Sequence, residues 1–442
     1  LALDLPAAID PLRRRFELTA LVSELADLVP GGLHTAGAVL EYADALGRFF
    51  DGLQIEEARL GGDLAGLVTA ELAEHWEVSR RFLERALDLW PRRLAALEVV
   101  DVSERRVRLL RALAEQWTQA PPQGVLVAAG STGTAPATRA LLMAVAQAPK
   151  GAVVLPGLDT DLDDKAWGGV DVQHPQGALK RLLEAAEVPR RVVLTWPASR
   201  AEAPAQRWRR RIVNEALRPA EDTADWLDVI GKLRAEQADA VEAGLDGLSR
   251  VTARTEEEAA TVAALLLRET LETPDRTAAL VTPDLALARR VTAKLGRWGV
   301  VPDSSAGETL AGSPCGALAG LVARAAVDPV VLLGLLKHPL SRLDGAGREG
   351  RALERWALRG ARLRTWDQIR ARLEEKAPDS IPLARRLEDI VSKLTWPDAT
   401  DSAAVAARRL VEAMEALADD GHGRTGALWA GHGGEAMSRL LA

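Results

Sequence analysis

From Asp10 to about Trp117 the apolar positions recur every three or four residues, as at Leu18, Leu21, Leu25 and Leu28, and this period predicts an all-helical region. Pro30-Gly31-Gly32 interrupts it once, a second helix is expected over 34–53, and Gly61-Gly62 precedes a third that runs to Trp90-Pro91. The period then changes. The runs 124–130 and 151–157 are short, continuously apolar and bounded by glycine, the pattern of buried parallel strands. Residues 135–148 between them are helical in spacing, so the segment predicts the strand, loop, helix and strand of a nucleotide-binding type of sheet.

Further along, a strand is expected over 190–196 and helices over 205–217 and 223–242, the latter ending near Gly244. A second alternating module follows, with strands over 248–253, 277–282 and 300–302 and helices over 256–271 and 286–298; right-handed crossovers are the default for such a module. From Ser313 helices return, interrupted at Pro329, at Pro339 and around Asp344-Gly345, and continue to about Ala418. The stretch 421–434 holds six glycines in fourteen residues and predicts a loop or frayed end. The expected organisation is therefore a helical region over 1–120, a first α/β lobe over 121–245, part of a second over 246–312, and a helical region over 313–442.

Composition narrows the class without naming a function. With 442 residues, 48% hydrophobic and 27% charged, the chain is too long for one ordinary core and too apolar for disorder. The single cysteine, Cys315, excludes an internal disulfide and a cysteine-rich metal cluster in this stretch, which fits a reducing cytoplasm. Apolar runs such as 330–336 fall short of the ~18 to 20 residues of a membrane span, and no leader opens the chain. A soluble protein with no membrane partner is expected. A net charge of -7 argues against coating nucleic acid all over but is compatible with a local basic groove. The chain opens at Leu1 without methionine and closes after glycine-rich residues, so both ends have the look of cuts in a longer protein.

Several clusters carry candidate chemistry. Gly130-Ser131-Thr132-Gly133-Thr134 follows a predicted strand and precedes a helix, where backbone amides and the helix dipole can hold an anion; a simple turn with helix capping is the other reading. A phosphate loop needs a glycine, four intervening residues and then Gly-Lys-Ser or Gly-Lys-Thr, and no such run exists in the sequence. Asp159, Asp161, Asp163 and Asp164 follow the second strand, where some nucleotide hydrolases place a metal-binding carboxylate, although solvated or capping roles suit them better. Glu374-Glu375-Lys376 matches a Glu-x-Lys nuclease signature by letter but falls on a predicted exposed helix.

The strongest basic patch is Arg207-Trp208-Arg209-Arg210-Arg211, with Arg190, Arg191 and Arg200 near it in sequence; Arg13-Arg14-Arg15 is a weaker one. Guanidinium forks bind phosphate and an indole stacks on an unpaired base, but consecutive residues on a helix point around its whole circumference. Packing against an acidic neighbour is the competing role. His34, His75, His174, His338, His422 and His432 are scattered at no zinc-ligand spacing, and no Gly-x-Ser-x-Gly elbow is present. Of the twelve tryptophans, Trp76, Trp90, Trp117, Trp226 and Trp298 are expected in the core or at subunit contacts. No catalytic and no metal-binding residue is assigned.

A set of strings, in order, is more specific than any of these features alone: LPAAIDPLRRR at 5–15, AAGSTGTAPAT at 128–138, GAVVLPGLD at 151–159, HPQ at 174–176 and LKRLL at 179–183. It continues with EALRPA at 215–220, RTAALVTPD at 276–284, DSSAG at 303–307 and LLKHPL at 335–340. Together they resemble the B subunit of AddAB-type helicase-nucleases, in the form found in alphaproteobacteria, over nearly the whole chain to about residue 360. The stretch 276–340 also resembles the second motor lobe of superfamily 1 helicases.

The resemblance implies an α/β protein of two RecA-like superfamily 1 helicase lobes with large helical insertions, an internal piece of a subunit that processes DNA double-strand breaks for recombinational repair. It implies a heterodimer with the AddA-type helicase-nuclease subunit and contact with single- and double-stranded DNA. ATP, magnesium and a 4Fe-4S cluster belong, on this resemblance, to the full-length complex, and none is expected in this piece. The nuclease acids and cluster cysteines find no counterpart here. Candidate DNA-facing residues are Gly130, Ser131, Thr132 and Gly133 with Thr134, then Arg207, Arg209 and Arg211, the turn Thr282 to Asp284, and Lys337-His338. Two alternatives stand beside this reading: a nucleotide-dependent helicase lobe whose phosphate loop lies upstream, and a non-enzymatic docking scaffold.

Overall fold

The structure, a computed structural model, describes residues 5–29, 32, 35–58, 73–196, 204–222, 226–307, 309–325, 327–343, 347–360, 363, 365–394 and 402–442. It divides into two compact units, 1–250 and 251–442. The expected breaks at Pro30-Gly31 and Gly61-Gly62, the turn at Asp344-Gly345, and His34 and Arg200 lie outside the described residues, as do the side chains of His75 and Trp76.

Unit 1 begins with four helices, each placed by identifiable signals. Helix α1, Pro11–Glu24, starts where the Asp10 carboxylate accepts the amides of Leu12 and Arg13 and Pro11 takes the first helical position. Helix α2, Ala36–Ile55, is capped by Thr35, and α4, Val102–Gln119, by Asp101. The third, α3, spans Ala73–Ala96 and carries Pro91 inside it, so the expected stop at Trp90-Pro91 is corrected. A proline inside a helix costs about 3 kcal/mol, but Trp90 and Leu94 are both buried on either side of it and their packing holds the helix together. The shared core includes Ile9, Leu21, Leu46, Phe50, Phe82 and Trp90, with the rings of Phe50 and Trp90 stacked 6.0 Å apart.

Helix α4 packs on α5, Pro136–Gln147, and so joins this bundle to a strand, helix and strand unit. Strand β1, Leu126–Ala129, pairs in parallel with β2, Gly151–Val154, in the register Leu126 to Gly151 through Ala129 to Val154. Gly151 is required there: a β-carbon at this position would lie 1.8 Å from the Val145 carbonyl oxygen. The pairing and the intervening helix match the sequence expectation, but the strands are not buried on both faces. Val125 is 79% exposed and Val127 is exposed as well, because a two-stranded sheet covered by one helix leaves its other face open.

Beyond β2 come α6, Asp164–Gly169, and α7, Gly177–Ala185. The strand expected over 190–196 is instead a 3-10 turn, Arg190–Val192, followed by chain outside any ladder. Helix α8, Pro204–Ala216, appears as predicted. The single helix expected over 223–242 is two, α9, Trp226–Glu236, and α10, Ala240–Leu245, which pack with α8 around Trp208, Val229, Leu233 and Ala240. The Gln237 side chain occupies the break, donating to Asp239 and accepting from the Trp208 indole.

In unit 2, α11, Glu256–Thr270, and α12, Leu285–Gly296, pair through Ala260, Ala264, Val291 and Leu295. The three strands expected around them do not form: among the described residues 248–253, 277–282 and 300–302 have no ladder partner. Val281 and Val301 are 94% and 92% exposed, and apolar β-branched sequence without a neighbouring strand has nothing to pair with. The remaining helices are α13, Pro314–Ala323, α14, Pro329–Lys337, α15, Arg348–Leu353, α16, Trp366–Lys376, α17, Ile381–Ser392, α18, Ala403–Ala418, and α19, Gly431–Leu441. They enclose a core that includes Leu318, Leu332, Leu335, Leu353, Leu373, Leu387 and Met414, and a π-helical turn, Glu354–Leu358, extends α15.

The glycine-rich stretch is a loop only to Ala430. From Gly431 it is a helix that buries Met437, which corrects the expected frayed end. Its glycines serve close approach: a β-carbon at Gly434 would lie 2.4 Å from the Trp429 carbonyl carbon, and one at Gly433 3.0 Å from Ser313.

The described chain is thus mostly helical, with α/β character confined to one parallel pair of strands. No described helix is long and apolar enough to cross a membrane.

Candidate functional site

The carboxyl ends of parallel strands, where loops lead into helix starts, are the usual place for a site in an α/β unit. Here two loops leave those ends. The first, 130–134, is shaped by left-handed backbone at Gly130 and Gly133. Its hydroxyls serve the loop itself, since Thr132 and Thr134 share a hydrogen bond of 2.9 Å and Ser131 Oγ accepts the Gly133 amide. None of them caps α5, whose N-cap position is Ala135 and lacks a side-chain bond. The loop carbonyls of Gly133 and Thr134 are instead held by the Arg139 guanidinium, a residue that sequence reasoning did not single out.

The second loop, after β2, is braced from three directions. The Gln176 amide side chain accepts from the Asp159 backbone and donates to the Gly157 carbonyl. Arg190 donates to the carbonyls of Asp159 and Leu162 while its guanidinium lies 4.6 Å from the Trp167 ring centre. Asn214 of α8 donates to the Asp159 carboxylate, whose other oxygen holds the amides of Asp161 and Leu162. His174 accepts the Gln176 amide at Nδ1, so its Nε2 carries the proton donated to the Leu217 carbonyl.

The arginines of α8 fan around the helix as the circumference argument requires. Arg209 donates to the carbonyls of Gly244 and Asp246, at the end of α10. Arg211 forks onto Glu236 of α9, and both it and Arg207 lie over the Trp208 ring, at 5.4 and 5.3 Å. Arg210 points the other way and pairs with Asp161. Two more carboxylates of the acidic loop also meet arginine: Asp163 meets Arg218, and Asp164 meets Arg191 and, at 3.6 Å, Arg190. The Asp163 carboxyl is held below the usual carboxylate range by the Ala166 amide it caps and then by Arg218. Packing of the basic cluster against an acidic neighbour, one of the two readings open in the sequence, is the arrangement observed.

The candidates in unit 2 sit at the ends of helices. Thr282 Oγ1 accepts the Asp284 amide, and Asp284 caps α12 through the amides of Ala286 and Leu287. Lys337 pairs with Glu354 of the π-helical turn at 2.6 Å, and Arg359 lies 3.3 Å from the other oxygen of that carboxylate. Lys337 lowers the Glu354 carboxyl pKa. His338 follows at the end of α14, its Nδ1 accepting the Leu340 amide, and burial lowers its pKa from 6.5. Glu374-Glu375-Lys376 closes helix α16, with Glu375 paired to Arg372 and Lys376, as expected of a solvated helix face. Of the tryptophans expected inside, Trp90 is buried, Trp117 half-buried, and Trp226 and Trp298 exposed.

Among the described residues no group of three or more His, Cys, Asp or Glu side chains is placed to hold a metal ion. No known protein family, curated protein or solved structure significantly matches this chain.

Proposed function

We propose that this chain is part of the B subunit of an AddAB-type helicase-nuclease, and that it holds and guides a DNA strand during the processing of double-strand breaks. The sequence strings described above support the reading. So does the position of three of them, which form the loop after β1, the loop after β2 and its Gln176 brace. The observation that carries the DNA contact is the loop 130–134, which passes from the carboxyl end of β1 to a helix start with no side-chain cap. RecA-like lobes are the finer form of the fold in this reading, with the open face of β1 and β2 and the extended apolar segments accepting further strands. The partner is the AddA-type subunit, and the compartment is the cytoplasm.

The cofactors of such a complex do not fit the residues present. One buried cysteine cannot ligate a 4Fe-4S cluster, and ATP with magnesium lacks a Gly-Lys-Ser/Thr loop. No step is derived through either group. The test is strand protection in the intact complex after Thr132, in the loop patch 130–134, is replaced by glutamate, which sets a negative charge at the uncapped helix start and leaves the packing of α8 in place. Loss of protection of single-stranded DNA is expected, and an unchanged footprint removes that patch from the reading.

A docking scaffold is the second reading, favoured by the exposure of Val125, Leu194, Val281 and Val301 on extended segments. Failure of the intact protein to bind any DNA end, with retained assembly onto its partner, would select it.

A further inference from the structure

The π-helical turn Glu354–Leu358 gathers more positive charge than it answers. The Arg359 amide bonds the Glu354 carbonyl five residues back at 2.7 Å, and this wide turn brings Arg359 round to the Glu354 carboxylate, 3.3 Å away. Residues five apart on an α-helix point about 140° away from each other. Helix α14 packs on the same turn and adds Lys337 to the other oxygen of that carboxylate at 2.6 Å. Arg355 directly follows Glu354 and is exposed, and among the described residues it has no carboxylate partner; its guanidinium lies 5.0 Å from the centre of the half-buried Trp356 ring. Three cations thus share one carboxylate beside an indole, which leaves two positive charges in excess. Helix α16, which packs on the turn as well, carries three acids and three bases and leaves that excess standing. No ion pair has to open for the cations to act, since Arg359 is 77% and Lys337 48% exposed while paired.

We infer that Arg355, Trp356 and Arg359, with Lys337 beside them, form a surface that takes single-stranded DNA. The cations receive phosphates of the strand, and the stack of Arg355 on Trp356 receives an unpaired base. This rests on the DNA-guiding reading above and gives it a contact in unit 2 that does not use the loop 130–134. Glu354 holds Lys337 and Arg359 in place without cancelling the patch. The excess charge selects a polyanion. The indole then selects one with free aromatic bases over an acidic peptide, which has none, and over a duplex, whose bases are stacked inside.

The experiment is binding of a fluorescent oligothymidylate to the whole chain across a salt series, comparing the unchanged protein with R355A/R359A, W356L and the control R92A/R108A. The control removes the same formal charge from exposed positions on α3 and α4, and circular dichroism checks the fold of each variant. R355A/R359A should weaken binding about tenfold and flatten the dependence of log K on log salt by about 1.4, that is about 0.7 for each lost phosphate contact. W356L should weaken binding about fivefold or more with the slope unchanged, because stacking releases no counterions. An equal loss in R92A/R108A reduces the effect to net charge and overturns the inference. Binding by the unchanged chain at an affinity and salt slope that R355A/R359A leaves in place also overturns it, without touching the DNA reading. Displacement of the oligothymidylate by an equal concentration of polyglutamate of the same length assigns the patch to an acidic protein partner and overturns it likewise. Absence of binding by the unchanged chain removes the DNA reading and this inference together.

Discussion

The indole Nε1 of Trp90 donates a 2.9 Å hydrogen bond to Oδ2 of Asp101, and both residues are closed to solvent, at 2% and 0% exposure. The same carboxylate takes the Val102 amide at 2.7 Å on Oδ1 and Arg14 Nη2 at 3.1 Å and Gln54 Nε2 at 3.4 Å on Oδ2. One side chain therefore joins α1, α2 and α3 while capping α4. Removing one member of a buried ion pair strands the other, a loss of about 3–5 kcal/mol. Asp101→Ala is expected to lower unfolding stability in urea by that amount, and Asp101→Asn, which keeps one oxygen, by less. A loss under about 1 kcal/mol for the alanine variant would mean the network carries no structural weight.

Gly133 and Gly130 both have left-handed backbone but different surroundings. A β-carbon at Gly133 would lie 3.0 to 3.3 Å from Arg139, Leu182 and Leu142, whereas one at Gly130 meets nothing within 4 Å. Gly130→Ala is expected to cost about 1 kcal/mol from backbone conformation alone, and Gly133→Ala about 1–3 kcal/mol as packing is added. Equal melting temperatures for the two variants would contradict the packing described for the loop.

The glycines of α19 separate a packed helix from a frayed tail. Gly434→Ala forces a methyl against the Trp429 backbone and is expected to destabilise unit 2 by about 2–4 kcal/mol, with a shift in tryptophan emission. A tail would lose nothing.

His338 makes stability depend on pH. Burial holds its imidazole pKa below 6.5, so between the folded value and 6.5 the unfolded chain binds more protons. Its contribution is level above 6.5 and declines as pH falls through that window. His338→Asn retains an acceptor for the Leu340 amide and cannot titrate. The unchanged protein should therefore lose more in melting temperature between pH 6.5 and about pH 5 than the variant does. Parallel melting curves would remove His338 from the pH response.

Helices were legible because their causes are local: Asp10, Thr35, Asp101, Thr255, Asp284 and Ser313 all cap where an apolar period begins. The run 124–130 became a strand because Gly151–Val154 lies beside it, while 248–253, 277–282 and 300–302 carry similar letters and have no neighbour, and pairing is not written in a single segment. Pro91 and Gly434 misled for the same reason: tertiary packing around Trp90 and Trp429 decided against local propensity. At the candidate site, the splay of the α8 arginines was predictable from helix geometry, and the opposite charge at 159–164 was visible. That Arg210 meets Asp161 and Arg211 meets Glu236 depends on how α8 lies against its neighbours.

The short parallel bridge between Ala8 and Val100, with Ile9 donating to the Val100 carbonyl and Val100 to that of Ala7, spans 92 positions of chain. On a ribosome adding about 5–20 residues per second, the segment 5–10 must wait several seconds for its partner to emerge, and Arg14 waits with it for Asp101. Until then Leu18, Leu21 and Val22 of α1 have only α2 and α3 to pack on, without the Asp101 carboxylate that ties the three helices together. A translational pause placed before codon 100 should therefore prolong chaperone association with the nascent chain, and a pause placed just after the ribosome has released α4 should not.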